Sequence, residues 1–213
     1  MLKKLIVSCL LFLSPFAMAA LPQVLEEMFI AVNLGDTGSV EELLRHGVDP
    51  DVQDEQGYSA LMIAAREGQL EVARLLLAHG AKVYKRNQFG ETALMLAAYN
   101  GHNALIDLLI AHGADHHANR NGWTPLMYAS YAGHDATVKQ LLAYGEPVDA
   151  RTRAGITALM LASRQGHIEV VALLLRLGAD PRLKSANGQS AMQMALANGN
   201  TDIAELLRQA GAE

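Results

Sequence analysis

Three columns of glycine, each recurring at a near-constant interval, constrain this 213-residue chain more than any other feature. The first column is Gly57, Gly90, Gly122, Gly155 and Gly188. The second is Gly35, Gly68, Gly101, Gly133, Gly166 and Gly199. The third follows it at the same offset every time, at Gly47, Gly80, Gly113, Gly145, Gly178 and Gly211. Such a register along nearly the whole chain excludes a single core built from unlike elements. It calls for a small supersecondary unit that buries its apolar face only by stacking on copies of itself. The one short step lies between Gly113 and Gly122, so one connecting loop is slightly shorter than the others.

Each unit has the same internal grammar. After the first glycine a hydroxyl, Ser59, Thr92, Thr124, Thr157 or Ser190, stands where it can cap a helix, and Pro125 follows one of them at the first helical position. A short helix of small and apolar residues comes next, as in 91–98, Glu-Thr-Ala-Leu-Met-Leu-Ala-Ala. The second glycine breaks the chain, and a second helix carries Leu75–Leu77, Leu108–Ile110, Leu173–Leu175 or Leu206–Leu207. The third glycine supplies a left-handed residue that ends it. A loop of turn chemistry leads to the next unit. Aromatics make up only 5% of the chain, so the apolar 51% is mainly aliphatic and suits closely packed helices.

The pattern G-x-[ST]-[AP]-L-M-x-A-[AS], with a closing L-L-x-x-G-A-D, resembles the ankyrin repeat, most closely at 122–127 and 166–171. The resemblance covers 25–212. It implies an all-α solenoid of stacked helix–turn–helix units with finger-like hairpin loops. Six repeats are expected, at about 24–56, 57–89, 90–121, 122–154, 155–187 and 188–213. The first and last serve as caps: Glu26, Glu27, Asp36, Glu41 and Glu42 suit a solvated face at one end, and Gln193, Asn198, Arg208 and Gln209 at the other. The chain looks like an exported bacterial ankyrin protein. The role that likeness implies is binding other proteins without catalysis. One departure stands out. Where the family has T-P-L-H, the histidine column here reads Met62, Met95, Met127, Met160 and Gln193.

The stretch 1–19 reads as a leader. Lys3 and Lys4 precede an apolar run over 5–13, too short to span a bilayer, and Ala17-Met-Ala19 fits a signal-peptidase site. Cleavage is expected after Ala19 or a position or two later, leaving 20–213 as the repeat domain; an uncleaved apolar anchor is the alternative. Removal takes away the only cysteine, Cys9, together with Lys3 and Lys4. That leaves 17 − 2 = 15 basic against 22 acidic residues, a net charge of −7. A cysteine-free chain cannot mispair in an oxidising compartment. The expected product is a periplasmic monomer without a membrane span or disulfides, and its charge speaks against nucleic acid.

No nucleophile elbow, phosphate loop or zinc-protease motif is present, so no enzyme activity and no cofactor are expected. Two features bear on metals. The methionine column could offer thioethers to copper in a metal or redox accessory protein, but a methionine at one fixed helical position is ordinarily core filling. His112, Asp115, His116 and His117 form the densest ligand cluster, yet His112 shares a column with His46 and His79 at a helix C-terminus. His102, His134 and His167 recur after the second glycine and read as scaffold.

What remains is surface. In the ankyrin family, partners meet the finger tips and the exposed positions of the first helix. Carried over by position, these are Tyr58 and Arg66, Phe89 and Tyr99, Arg120, Trp123 and Tyr131, and Arg153 and Arg164. Tryptophan, tyrosine and arginine are the residues that dominate binding hot spots. Trp123 is expected to face outward. Lys82, Lys85, Arg86, Arg151, Arg153, Arg182 and Lys184 are expected to make the later fingers basic, beyond an acidic first finger at Asp49, Asp51, Asp54 and Glu55. The resulting expectation is a module that scaffolds, protects or inhibits an exported enzyme.

Overall fold

The computed structural model describes residues 15–115, 119 and 121–212. Most of the expected leader, 1–14, lies outside them. Twelve helices are present among the described residues: α1 Pro15–Leu34, α2 Thr37–Arg45, α3 Ala60–Glu67, α4 Leu70–Ala78, α5 Ala93–Tyr99, α6 Asn103–Ala111, α7 Pro125–Ala132, α8 Asp135–Ala143, α9 Ala158–Gln165, α10 Ile168–Arg176, α11 Ala191–Ala197 and α12 Thr201–Gln209. They form antiparallel pairs. The odd-numbered helices pack in one inner row and the even-numbered in one outer row, each touching its counterparts in adjacent pairs. The all-α solenoid read from the glycine columns is the observed fold.

The capping grammar holds in all five full units. Ser59, Thr92, Thr124, Thr157 and Ser190 each accept a hydrogen bond from the backbone N–H three positions on, at 3.3–3.5 Å. At Ser59 the reciprocal contact is made by sulfur: the Ser59 N–H points at Met62 Sδ, 3.5 Å away. In the last unit Gln193 Oε1 does the same for Ser190 at 2.9 Å. Met62, Met95, Met127 and Met160 are 0–1% exposed, so the methionine column fills core in the space the family gives to histidine. The acidic residues assigned to the first cap, and Gln193, Asn198, Arg208 and Gln209 in the last unit, are all exposed.

The outer helices begin differently. Gln69, His102, His134, His167 and Asn200 occupy their N-cap positions, but none caps its own helix. Four of these side chains reach back to the end of the preceding inner helix: Gln69 to Asn33 O, His102 to Arg66 O, His167 to Tyr131 O and Asn200 to Arg164 O, at 3.0–3.2 Å. The ring of His134 takes the same place against Gly101, with no hydrogen bond among the described residues. Each lies over the glycine that ends the previous inner helix, so that glycine must lack a side chain. The recurring histidines are scaffold, as their spacing suggested.

Gly133 illustrates both constraints. Its φ is +84°, and a Cβ there would stand 2.6 Å from the His167 ring. Gly145 has a φ of +91° and open space around it. A left-handed conformation costs an ordinary residue about 1–2 kcal/mol. Gly145→Ala is therefore expected to lose about 1 kcal/mol in denaturant melts. Gly133→Ala, which must also displace a packed ring, is expected to lose about 2 kcal/mol or more. Equal losses would contradict the proposed role of the His167 contact.

Candidate partner-binding surface

The finger loops are organised by one polar residue three positions before the first-column glycine. Asp54, Asn87 and Asn119 each accept two backbone N–H groups, two and four positions on, at 2.8–3.0 Å. Thr152 and Ser185 accept one each, four positions on. Adjacent fingers are tied by Gln88 N–H to Gln56 O and by Ala186 N–H to Ala154 O, at 3.1 and 2.8 Å. These bonds hold two pairs of adjacent fingers in a fixed register.

On that frame an aromatic strip crosses the inner row. Tyr99, at the end of α5, stacks on Tyr131, at the end of α7, with ring centres 6.4 Å apart and planes 23° off parallel. Trp123 approaches Tyr131 and Tyr128 at 5.5 and 5.3 Å, and Tyr128 meets Tyr99 edge-on at 6.2 Å. The Arg164 guanidinium sits 5.9 Å from the Tyr131 ring centre, and Arg66 sits 5.5 Å from that of Tyr58. Pairs of this kind add roughly 0.5–1.5 kcal/mol beyond area burial and hold the rings in place.

Of the residues named from sequence, the ring and cation contacts join Tyr99, Trp123, Tyr131 and Arg164, and separately Tyr58 and Arg66. Tyr99 is 42% exposed and Phe89 58%; Arg153 and Arg164 are exposed, while Tyr58, Arg66 and Tyr131 are half-buried. Arg120 lies outside the described residues. Trp123 corrects the expectation that it faces fully outward. It is half-buried against the core, because the indole packs into the angle between the Tyr128 and Tyr131 rings, one and two turns further on.

One residue at the centre of the strip, Tyr128, was not singled out from sequence as part of the surface. Tyr128 sits in a column otherwise filled by Ile63, Leu96, Leu161 and Met194. Its hydroxyl donates to Glu91 Oε1 at 2.7 Å and accepts from Asn119 Nδ2 at 2.8 Å. Glu91 in turn accepts from Asn87 Nδ2 at 2.7 Å, and it stands in a column with Tyr58, Trp123, Ile156 and, in the last unit, Gln189. The signal was available: a phenol breaks an apolar column, and in the adjacent unit a carboxylate stands in a largely apolar one. Glu146 is a third exception, buried where other units have alanine or valine. It accepts from the Leu126 N–H at 3.0 Å in the first turn of α7, where a helix favours negative charge.

Two of the basic finger side chains are ion-paired and two donate to backbone carbonyls. Lys82 Nζ is 2.9 Å from Asp51 of the preceding finger, and that hydrogen bond raises the Lys82 pKa. Arg182 pairs with Asp180 at 2.9 Å, Arg151 donates to the Lys184 carbonyl, and Arg86 donates to Gly90 O. The two ion pairs offset part of the expected basic charge, while Arg151 and Arg86 stay cationic.

Among the described residues no group of three or more His, Cys, Asp or Glu is placed to hold a metal ion. The His112 Nδ1 lies 2.8 Å from its own helix carbonyl, Leu108 O; His116 and His117 lie outside the described residues. An open groove of about 1110 Å³ runs along the outer helices past Leu173, Leu177 and Leu206, on the other row from the strip. No helix among the described residues is long and apolar enough to cross a membrane.

The family model described as ankyrin repeats (3 copies) matches residues 28–120, 80–152 and 136–213. The chain belongs to the ankyrin-repeat family. Ankyrin repeats generally mediate protein–protein interaction and are typically non-enzymatic. No curated protein matches the chain.

Burial, and then the hydrogen bond to Glu91, push the Tyr128 phenol far above the usual tyrosine value of 10.0. The folded state therefore favours the protonated phenol. Its contribution to stability is complete below the ordinary tyrosine pKa and is lost only as pH rises through the higher folded value. An alkaline absorbance titration should show Tyr128 ionising last of the six tyrosines, after Tyr58 and Tyr144, which are also raised, and Tyr128→Phe should remove that last step. The same variant should lose about 1–3 kcal/mol, because Glu91 and Asn119 each lose a partner. A titration without a late step would contradict the geometry.

Proposed function

We propose that this ankyrin-repeat chain is an exported, non-enzymatic interaction module of six repeats, the outer two acting as caps, that scaffolds, protects or inhibits an exported enzyme in the periplasm. The observation that carries the reading is the aromatic strip of Tyr99, Tyr131 and Trp123, which runs across the inner row with Arg66 and Arg164 at its two ends. Tyr99 is 42% exposed at a position that arginine fills in the second and fifth units, so the helix itself does not require a ring there. Aromatic rings with few rotatable bonds, beside arginine, supply large contact area at low entropic cost. The leader pattern and the cysteine-free repeat domain support export.

Two measurements test this. The protein recovered from the exported fraction should begin at or near Ala20; an intact Met1 on a cytoplasmic protein would contradict export. Immobilised protein should capture a partner from that fraction, and Tyr99→Ala combined with Arg153→Ala should lose it while the circular dichroism spectrum stays unchanged. Arg153→Ala should shift stability by only about 0.5 kcal/mol, and Tyr99→Ala, which gives up two ring contacts, by about 1–2 kcal/mol, with the fold retained. Capture that ignores the double variant would move the interface off the inner row.

A further inference from the structure

The strip is not symmetric in charge. At its N-terminal end Arg66 is paired with the adjacent Glu67 at 2.6 Å. At its C-terminal end the residue equivalent to Glu67 is Gln165, and Arg164 forms no ion pair among the described residues. On the unit-three side, Glu91 places a carboxylate beside the rings, bound to Tyr128 and Asn87. One uncompensated cation therefore stands at one end of an aromatic floor, and one fixed anion stands toward the other.

Arg164 is exposed beside the Tyr131 ring, its guanidinium carbon 5.9 Å from the ring centre, and a guanidinium carries its N–H groups along its planar edge. That edge matches a carboxylate in two-point geometry, and a guanidinium is only weakly hydrated, so less is lost when the carboxylate displaces water. The rings of Tyr99 and Tyr131 beside it accept an apolar side chain. Adjacent inner helices are about 8–10 Å apart, which an extended chain at about 3.3 Å per residue crosses in roughly three residues.

Resting on the reading of this strip as the partner surface, we infer that the partner presents a linear segment with an acidic side chain about three positions from an apolar one. The carboxylate sits on the edge of Arg164, and the apolar side chain rests on Tyr99 and Tyr131. Glu91 repels a segment laid in the reverse direction and so fixes its polarity.

The test is selection of a random linear peptide library on the purified protein, followed by affinity measurement of the enriched peptides at low and high salt. Enrichment of Asp or Glu about three positions from a large apolar residue is expected. Arg164→Gln and Tyr99→Ala should each weaken those peptides about tenfold or more, and the Arg164 effect should shrink at high salt. Peptides without acidic residues that still depend on Tyr99 but not on Arg164 would overturn this inference and leave the partner surface standing. Peptides indifferent to both variants would overturn both readings. A library from which nothing is enriched would overturn the linear acidic segment. Unchanged circular dichroism in the two variants keeps a folding defect from imitating the expected loss.

Discussion

A side chain that opens one outer helix and lies over the glycine closing the previous inner helix is the contact on which the array depends. Gln69, His102, His134, His167 and Asn200 all do this, over Gly35, Gly68, Gly101, Gly133 and Gly166. In four of the five, the contact gives up local capping of the outer helix in exchange for a hydrogen bond to the neighbouring unit; at His134 the ring packs there without one among the described residues. The bond also satisfies a carbonyl that a helix end would otherwise leave unpaired. Each such bond is worth only about 1 kcal/mol, but it recurs at successive junctions and fixes the rotation of one unit on the next.

That fixed rotation is what turns isolated side chains into a surface. Arg66, Tyr99, Tyr131 and Arg164 occupy one position in four successive units, and they line up because the units are held in register. The Glu91–Tyr128–Asn119 chain of hydrogen bonds ties the third and fourth units directly beneath the strip. Support and surface are thus made from alternate positions of the same short helices. The buried methionines Met62, Met95, Met127 and Met160 fill core within the same short helices.

Most of the scaffold was legible in the chain because glycine and hydroxyl residues report backbone geometry locally. The left-handed φ at all three glycine columns and the caps at Ser59, Thr92, Thr124, Thr157 and Ser190 follow from near neighbours in the chain. The candidate surface was legible only in part. The positions of Tyr99 and Arg164 followed from the repeat register. The depth of Trp123 depended on ring contacts that no spacing reveals, and the pairing of Lys82 with Asp51 joins two different fingers. The Glu91–Tyr128 bond joins two different units and shows in the sequence only as a carboxylate and a phenol in columns that are otherwise largely apolar. What escaped was in each case a contact between side chains of different units or across one unit's fold, where the repeat gives position but not partner.

Every one of these features requires the chain to be one continuous stack in which each unit is stabilised through its neighbours. Equilibrium denaturation of the whole repeat domain beside a form ending after 187 tests that most directly. Removing 188–213 uncovers the apolar side of α9 and α10 and takes away Asn200, which bonds the carbonyls of Ser163 and Arg164. A lower unfolding midpoint, a shallower denaturant dependence and aggregation of the shortened form are expected. An unchanged midpoint with a soluble, compact product would contradict the continuous stack.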